Sequence, residues 1–119
     1  MEFNNGSTIN VGVSMRSSTL SNLHISEHGK ICAKDPERAR EIRTGSLNAV
    51  HIGQKITIES TAEGREGDFY EFTQKAKALV GKPLTPVDFK FHFYPWYENA
   101  SYTMHQAVVI SKEMHEYFD

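Results

Sequence analysis

Cysteine, proline and tryptophan are scarce in this chain: one Cys, four Pro and one Trp among 119 residues. Cys32 alone makes no internal disulfide, fits a reducing compartment, and excludes a zinc site built on several thiolates. It reads as a small, partly buried apolar residue. Charge of one sign is also lacking. Thirteen Lys and Arg against fifteen Asp and Glu leave a net charge of −2, so a strongly basic grip on nucleic acid is excluded. There is no run of about 18 apolar residues to make a membrane-spanning helix. No charged-then-apolar N-terminus reads as a signal peptide. Repeats, low-complexity tracts and Pro/Gly-rich linkers are missing too.

What is present suits one domain with one core. The mass is 13.5 kDa, which is too little for two domains. Leu, Ile, Val and Phe number 27 of 119, above the roughly 20% below which chains tend to stay disordered. Two N-x-[ST] triplets, Asn5-Gly6-Ser7 and Asn99-Ala100-Ser101, read as turn chemistry.

Strand and helix signals alternate. Asn4-Asn5-Gly6-Ser7 between Phe3 and the run Ile9, Val11, Val13 predicts a hairpin with one buried face. A polar loop over 14–19, carrying Arg16, leads to a short strand with Leu23 and Ile25 on one face and His24 and Ser26 on the other. That strand is expected to end in a loop, Glu27-His28-Gly29. Asp35 as N-cap with Pro36 at the first helical position predicts a helix with an inner stripe of Ala39, Ile42, Ser46, Ala49 and Val50, closed by Gly53. A strand over 55–60 follows, with Ile56 and Ile58 on one face. After a glycine-bearing loop, Asp68 is expected to cap a second helix with Glu71 as its capping-box partner and Phe69, Phe72, Ala76 and Leu79 inward. Residues 88–94, where Phe89, Phe91 and Phe93 alternate with Lys90, His92 and Tyr94, predict a strand broken by Pro95. Val108, Val109 and Ile110 form a short apolar run. Ser111 caps a last helix with Met114, Tyr117 and Phe118 on its apolar side. Its stop at Asp119 reads as a piece of a longer protein.

This order predicts an α/β fold with βαβ crossovers and a mainly parallel sheet. Ligand chemistry in such sheets collects beyond the C-terminal strand ends. Two loops hold that position, 26–29 and 60–64. Glu27, a carboxylate at a strand exit, is placed to hold a water or a metal; the alternative is a solvated loop glutamate. His24 and His28 bracket it, but no H-E-x-x-H pattern occurs. Ser60 and Thr61 are placed to contact a phosphate, and Gly64, Gly67 and Asp68 feed a helix N-terminus. Arg16 and Arg65 are candidate anion partners or solvated arginines. Tyr94 and Trp96 are open as a stacking surface for bases, whereas the alternating phenylalanines favour core packing.

Asn5-Gly6-Ser7-Thr8-Ile9, Met15-Arg16, Leu23-His24-Ile25-Ser26-Glu27, Ala39-Arg40-Glu41-Ile42 and Ile58-Glu59-Ser60-Thr61-Ala62 stand in an order that resembles the large terminase subunit of tailed phages and prophages. Glu63-Gly64, Phe69-Tyr70, residues 89–93 and Pro95-Trp96 continue the resemblance over nearly the whole chain. The family is a DNA-packaging motor with an N-terminal ATPase domain and a C-terminal nuclease domain. The resemblance implies that residues 1–119 are the later part of the ATPase domain, from the Walker B strand past the coupling motif, without the nuclease domain. It implies a three-layer, partial P-loop-NTPase-like fold that lacks the Walker A strand. Glu27 would be the catalytic carboxylate that orients water. Ser26, Arg16, Ser60 and Thr61 would contact nucleotide or magnesium, with Ser60-Thr61-Ala62 as the coupling motif.

Two departures matter. Ser26 stands where the family usually has Asp, and a hydroxyl is a poorer magnesium partner than a carboxylate. No G-x-x-x-x-G-K-[ST] occurs, since Gly81-Lys82 is followed by Pro83. The expectation is therefore a chain inactive alone, whether a truncated prophage gene or an excised piece. ATP and Mg²⁺ would belong to the full-length parent. So would its partners: viral DNA, the small terminase subunit and the portal. The implied setting is the cytoplasm of a bacterial host, with no membrane contact. An unpaired strand edge, left by the missing Walker A strand, invites self-association. Two other readings stay open: a protein- or nucleic-acid-interaction module using 94–97, and a metal-dependent hydrolase around His24, Glu27 and His28.

Overall fold

The computed structural model of the chain describes residues 1–13, 20–104, 106–107 and 109–118. Arg16 and the rest of the 14–19 loop lie outside the described residues, as does Val108. Among the described residues the architecture is α/β, with a two-stranded parallel sheet and four α-helices. None of those helices is long and apolar enough to cross a membrane.

The N-terminal turn forms where Asn-Gly predicts it. Gly6 takes φ 77°, Phe3 N–H donates to Ser7 O at 2.8 Å, and Glu2 bridges Thr8 in antiparallel sense. Asn5 Oδ1 accepts from both the amide and the hydroxyl of Ser7, and Asn99 does the same for Ser101. Both N-x-[ST] triplets are thus Asx turns. The expected buried face is not there: Ile9, Val11 and Val13 are all exposed. One bridge with no sheet behind it leaves a hairpin nothing to pack on.

The sheet joins β1 (Leu20–Ile25) to β2 (Val50–Ile58). Leu23 pairs with Ile56 and Ile25 with Ile58, so these four apolar side chains share one face. Asn22, His24, Lys55 and Thr57 share the other face and are exposed. Gly53 does not close the preceding helix; it lies inside β2. Between the pairs Leu20–Val50 and Asn22–Lys55, β2 carries the longer stretch of chain. Gly53 supplies the positive φ, 86°, within that bulge.

The crossover is α1 (His28–Lys34), α2 (Pro36–Glu41), a π-helical turn Ile42–Ser46 and a 3-10 turn Leu47–Ala49. Asp35 caps α2 by accepting from Arg38 N–H at 3.0 Å, with Pro36 at the first helical position. The widened turn coincides with two side chains that bond back to the helix. Thr44 Oγ1 donates to Arg40 O and Asn48 Nδ2 to Thr44 O, each at 2.9 Å. Such bonds compete with the regular ladder.

Helix α3 (Asp68–Ala78) begins one residue earlier than expected. Gly67 is its N-cap and Asp68 its first helical residue, with no side-chain cap. The capping box fails because Asp68 is engaged elsewhere: its carboxylate accepts from Arg43 Nη1 at 2.8 Å. Gly67 has two reasons to be glycine. Its φ is 84°, and a Cβ there would sit 3.0 Å from Cys32 Cβ.

Residues 88–94 form no strand. The alternation is present but no ladder partner is found among the described residues, and a strand is defined by its partner. Beyond it come 3-10 turns Trp96–Glu98 and Ala100–Tyr102, then α4 (Lys112–Phe118), whose Ser111 Oγ accepts from Met114 N–H at 3.3 Å. The apolar side expected of α4 is not buried: Met114 and Tyr117 are exposed.

The core is correspondingly thin. Among the described residues the buried hydrophobics are Ile25, Ala39, Ile42 and Ala76, against 19 large exposed ones. The radius of gyration is 19.3 Å, where a compact chain of this length has about 13–14 Å.

Candidate functional site

Parallel pairing sends both strands out at the same end. The ladder continues past Ile25–Ile58: Glu59 N–H donates to Ile25 O at 3.0 Å, and His28 N–H donates to Glu59 O at 3.2 Å. Ser26 and Glu27 therefore leave β1 beside Ser60 and Thr61, which leave β2. The two tips identified in the sequence are neighbours.

Glu27 is the N-cap of α1 and takes φ 55°, ψ 36°, the left-handed region. It is the one non-glycine residue with positive φ among those described. Its side chain makes no cap hydrogen bond, and it is exposed. For an L-residue that conformation costs about 1–2 kcal/mol. Ser26 is exposed beside it.

The expected loop 26–29 is only half a loop. His28 and Gly29 are the first residues of α1, and both are buried. Gly29 allows the tips to close. A Cβ there would stand 2.9 Å from Thr61 O, 3.0 Å from Ser60 Oγ and 3.1 Å from Phe69 Cδ1. Ser60 Oγ is itself buried and has no hydrogen-bond partner among the described residues. Thr61 is exposed.

His28 is fully buried, at 0% exposure. Its ring stacks on Phe72 (6.4 Å, 14°) and meets Phe69 edge-on (6.4 Å, 88°). Neither ring nitrogen has a hydrogen-bond partner among the described residues. Burial pushes the imidazole below its ordinary pKa, and the Asp68 charge works against that. His24 faces solvent, its Nε2 3.5 Å from Glu59 Oε1. The two histidines thus do not converge on Glu27. No three His, Cys, Asp or Glu side chains come together as a metal cluster among the described residues.

A cavity of about 570 Å³ adjoins the tips, between the 62–66 loop and α3. Gly29 lies on its wall with Arg65, Phe69, Tyr70, Thr73 and Lys77. Two cations, Arg65 and Lys77, and two carboxylates, Glu63 and Glu66, line it, so its formal charges cancel. A larger cavity, about 1190 Å³, opens on the N-terminal turn and the exposed sheet face, and Ser26 borders this one instead. Ser26 and the 62–66 loop thus look into different spaces.

Sequence spacing missed two residues that organise the site. His28 lies between two exposed neighbours in sequence, Glu27 and Lys30 with Gly29 between, so no periodicity marks it as core. Arg43 ties the crossover to α3 through Asp68 across 25 residues, a separation that local pattern does not encode.

No protein-family model, no curated protein and no solved structure matches this chain.

Proposed function

We propose that this chain is the Walker B and coupling-motif part of a phage or prophage large terminase ATPase, a partial P-loop-NTPase-like domain. One observation carries the reading: Glu27 leaves β1 next to Ser60 and Thr61 at the end of the parallel neighbour β2. Phosphoryl transfer needs an oriented water and groups that sense the phosphate, and adjacent strand tips hold both. The strained backbone at Glu27 supports it, since such outliers concentrate at working sites. In this reading Glu27 orients the water and Ser60-Thr61 senses the phosphate.

The residues present do not fit a complete ATP–Mg²⁺ site. The chain has no phosphate-gripping G-x-x-x-x-G-K-[ST], and Ser26 replaces the expected aspartate. Alone, this chain therefore hydrolyses no ATP. Phosphate-release assays are expected to read background; turnover abolished by Glu27→Gln would refute the inactivity. The coding DNA on either side tests the family. A Walker A frame upstream and an acidic nuclease frame downstream are expected, and unrelated flanks would refute the reading.

A second, non-enzymatic reading, an interaction module, rests on the exposure of Tyr94, Trp96 and Tyr97. Titration of Trp96 fluorescence with single-stranded DNA at two salt concentrations tests it. No quenching refutes the nucleic-acid form of that reading.

A further inference from the structure

Residues 88–94 carry the side-chain geometry of a strand without its hydrogen bonds. Phe89 and Phe91 turn toward α3: the Phe89 ring lies 5.6 Å from Phe72, and Lys77 Nζ stands 5.3 Å over Phe91. Lys90 and His92 are exposed. The His92 and Tyr94 rings stack 6.3 Å apart at 3°. Side chains two apart thus share a side, as in a sheet. Yet among the described residues the amides of 89–94 donate to no backbone carbonyl. An alternating segment with free backbone groups is a template for another strand.

The sequence of that segment is complementary to itself. Set antiparallel against a second copy about Phe91, it brings Phe91 to Phe91, Phe89 to Phe93, Lys90 to His92 and Asp88 to Tyr94. All six phenylalanines then lie on one face as cross-strand aromatic pairs. Phe93, 68% exposed in a single copy, gains the Phe89 of the other.

We propose that residues 88–94 pair antiparallel with the same residues of a second copy, giving a two-fold symmetric dimer. Within the segment Phe93 and Tyr94 are 68% and 86% exposed, and Trp96 and Tyr97 just beyond it are 71% and 62% exposed, so a second copy has uncovered aromatic surface to meet. A net charge of −2 per copy adds little repulsion. The inference does not rest on the ATPase reading.

Sedimentation velocity over a micromolar concentration series is expected to show a monomer–dimer equilibrium. Phe93→Glu, at a ring exposed in one copy, raises the dissociation constant at least about tenfold, with the far-UV circular dichroism unchanged. In a Cys32→Ser background, Phe91→Cys cross-links to itself on oxidation, whereas His51→Cys on β2 does not. A chain that stays monomeric overturns the proposal, including one that stays monomeric while single-stranded DNA quenches Trp96. So does a dimer indifferent to Phe93→Glu, or one that cross-links at position 51 instead of 91.

Discussion

Replacing His28 with leucine should make this protein more stable, although it removes the most deeply buried side chain among the described residues. A neutral imidazole has one donor and one acceptor, and here both nitrogens are buried without partners among the described residues. Each unsatisfied buried group costs about 1–3 kcal/mol. Leucine removes both and keeps an apolar contact with Phe69 and Phe72. Its different shape returns up to about 1.5 kcal/mol, so a net gain of at least about 0.5 kcal/mol should remain. Alanine at the same position leaves a cavity and should lose about 2–4 kcal/mol. The same ring sets a pH dependence. Its folded pKa lies below the ordinary 6.5, so the unfolded chain takes up the proton first as the pH falls. Stability is complete above 6.5, falls below it by at most about 1.4 kcal/mol per pH unit, and levels off only beneath the lowered folded value. Urea unfolding followed by circular dichroism at pH 5, 6, 7 and 8 (about one-unit steps) measures both effects. His28→Leu should raise the midpoint at pH 7 and flatten the acid limb. A leucine variant less stable than the parent, or an unchanged acid limb, would show that the imidazole is satisfied and the reasoning is wrong.

Other substitutions test the geometry around the tips. Gly29→Ala drives a methyl against Thr61 O, Ser60 Oγ and Phe69; overpacking should cost about 1–3 kcal/mol in the same unfolding assay. Asp35→Ala removes the cap of α2, with an expected loss of about 1 kcal/mol and reduced helical ellipticity. Asp68→Asn breaks the ion pair with Arg43, in which the Arg43 side chain is 59% exposed and that of Asp68 14%, so the cost should be about 1 kcal/mol. It also removes the charge that raises the His28 pKa, and a histidine titration by NMR should move further down.

The sequence carried local structure well and long-range closure poorly. The Asn5 and Asn99 turns, the Asp35-Pro36 helix start and the Leu23/Ile25 and Ile56/Ile58 strand faces were all legible, because each depends on residues a few positions apart or on period-two patterning. Asp68 reads as a cap in the sequence, but Gly67 holds that position and Arg43, remote in sequence, claims the Asp68 carboxylate. The 88–94 alternation is correct for side chains, yet a strand needs hydrogen bonds from elsewhere, and no periodicity reports whether they exist. At the site, topology alone puts Glu27 and Ser60-Thr61 beyond the C-terminal ends of strands; that these two ends are neighbours is added by the β1–β2 pairing. His28 was not, since burial without a repeating pattern leaves no trace in sequence.

Glu27 holds a backbone shape that glycine or asparagine adopts with less strain. Swapping in either one should leave folding intact or strengthen it. Position 27 therefore separates architecture from duty: a variant that gains robustness while losing a phenotype assigns the phenotype to the carboxylate itself, with misfolding ruled out by the same experiment.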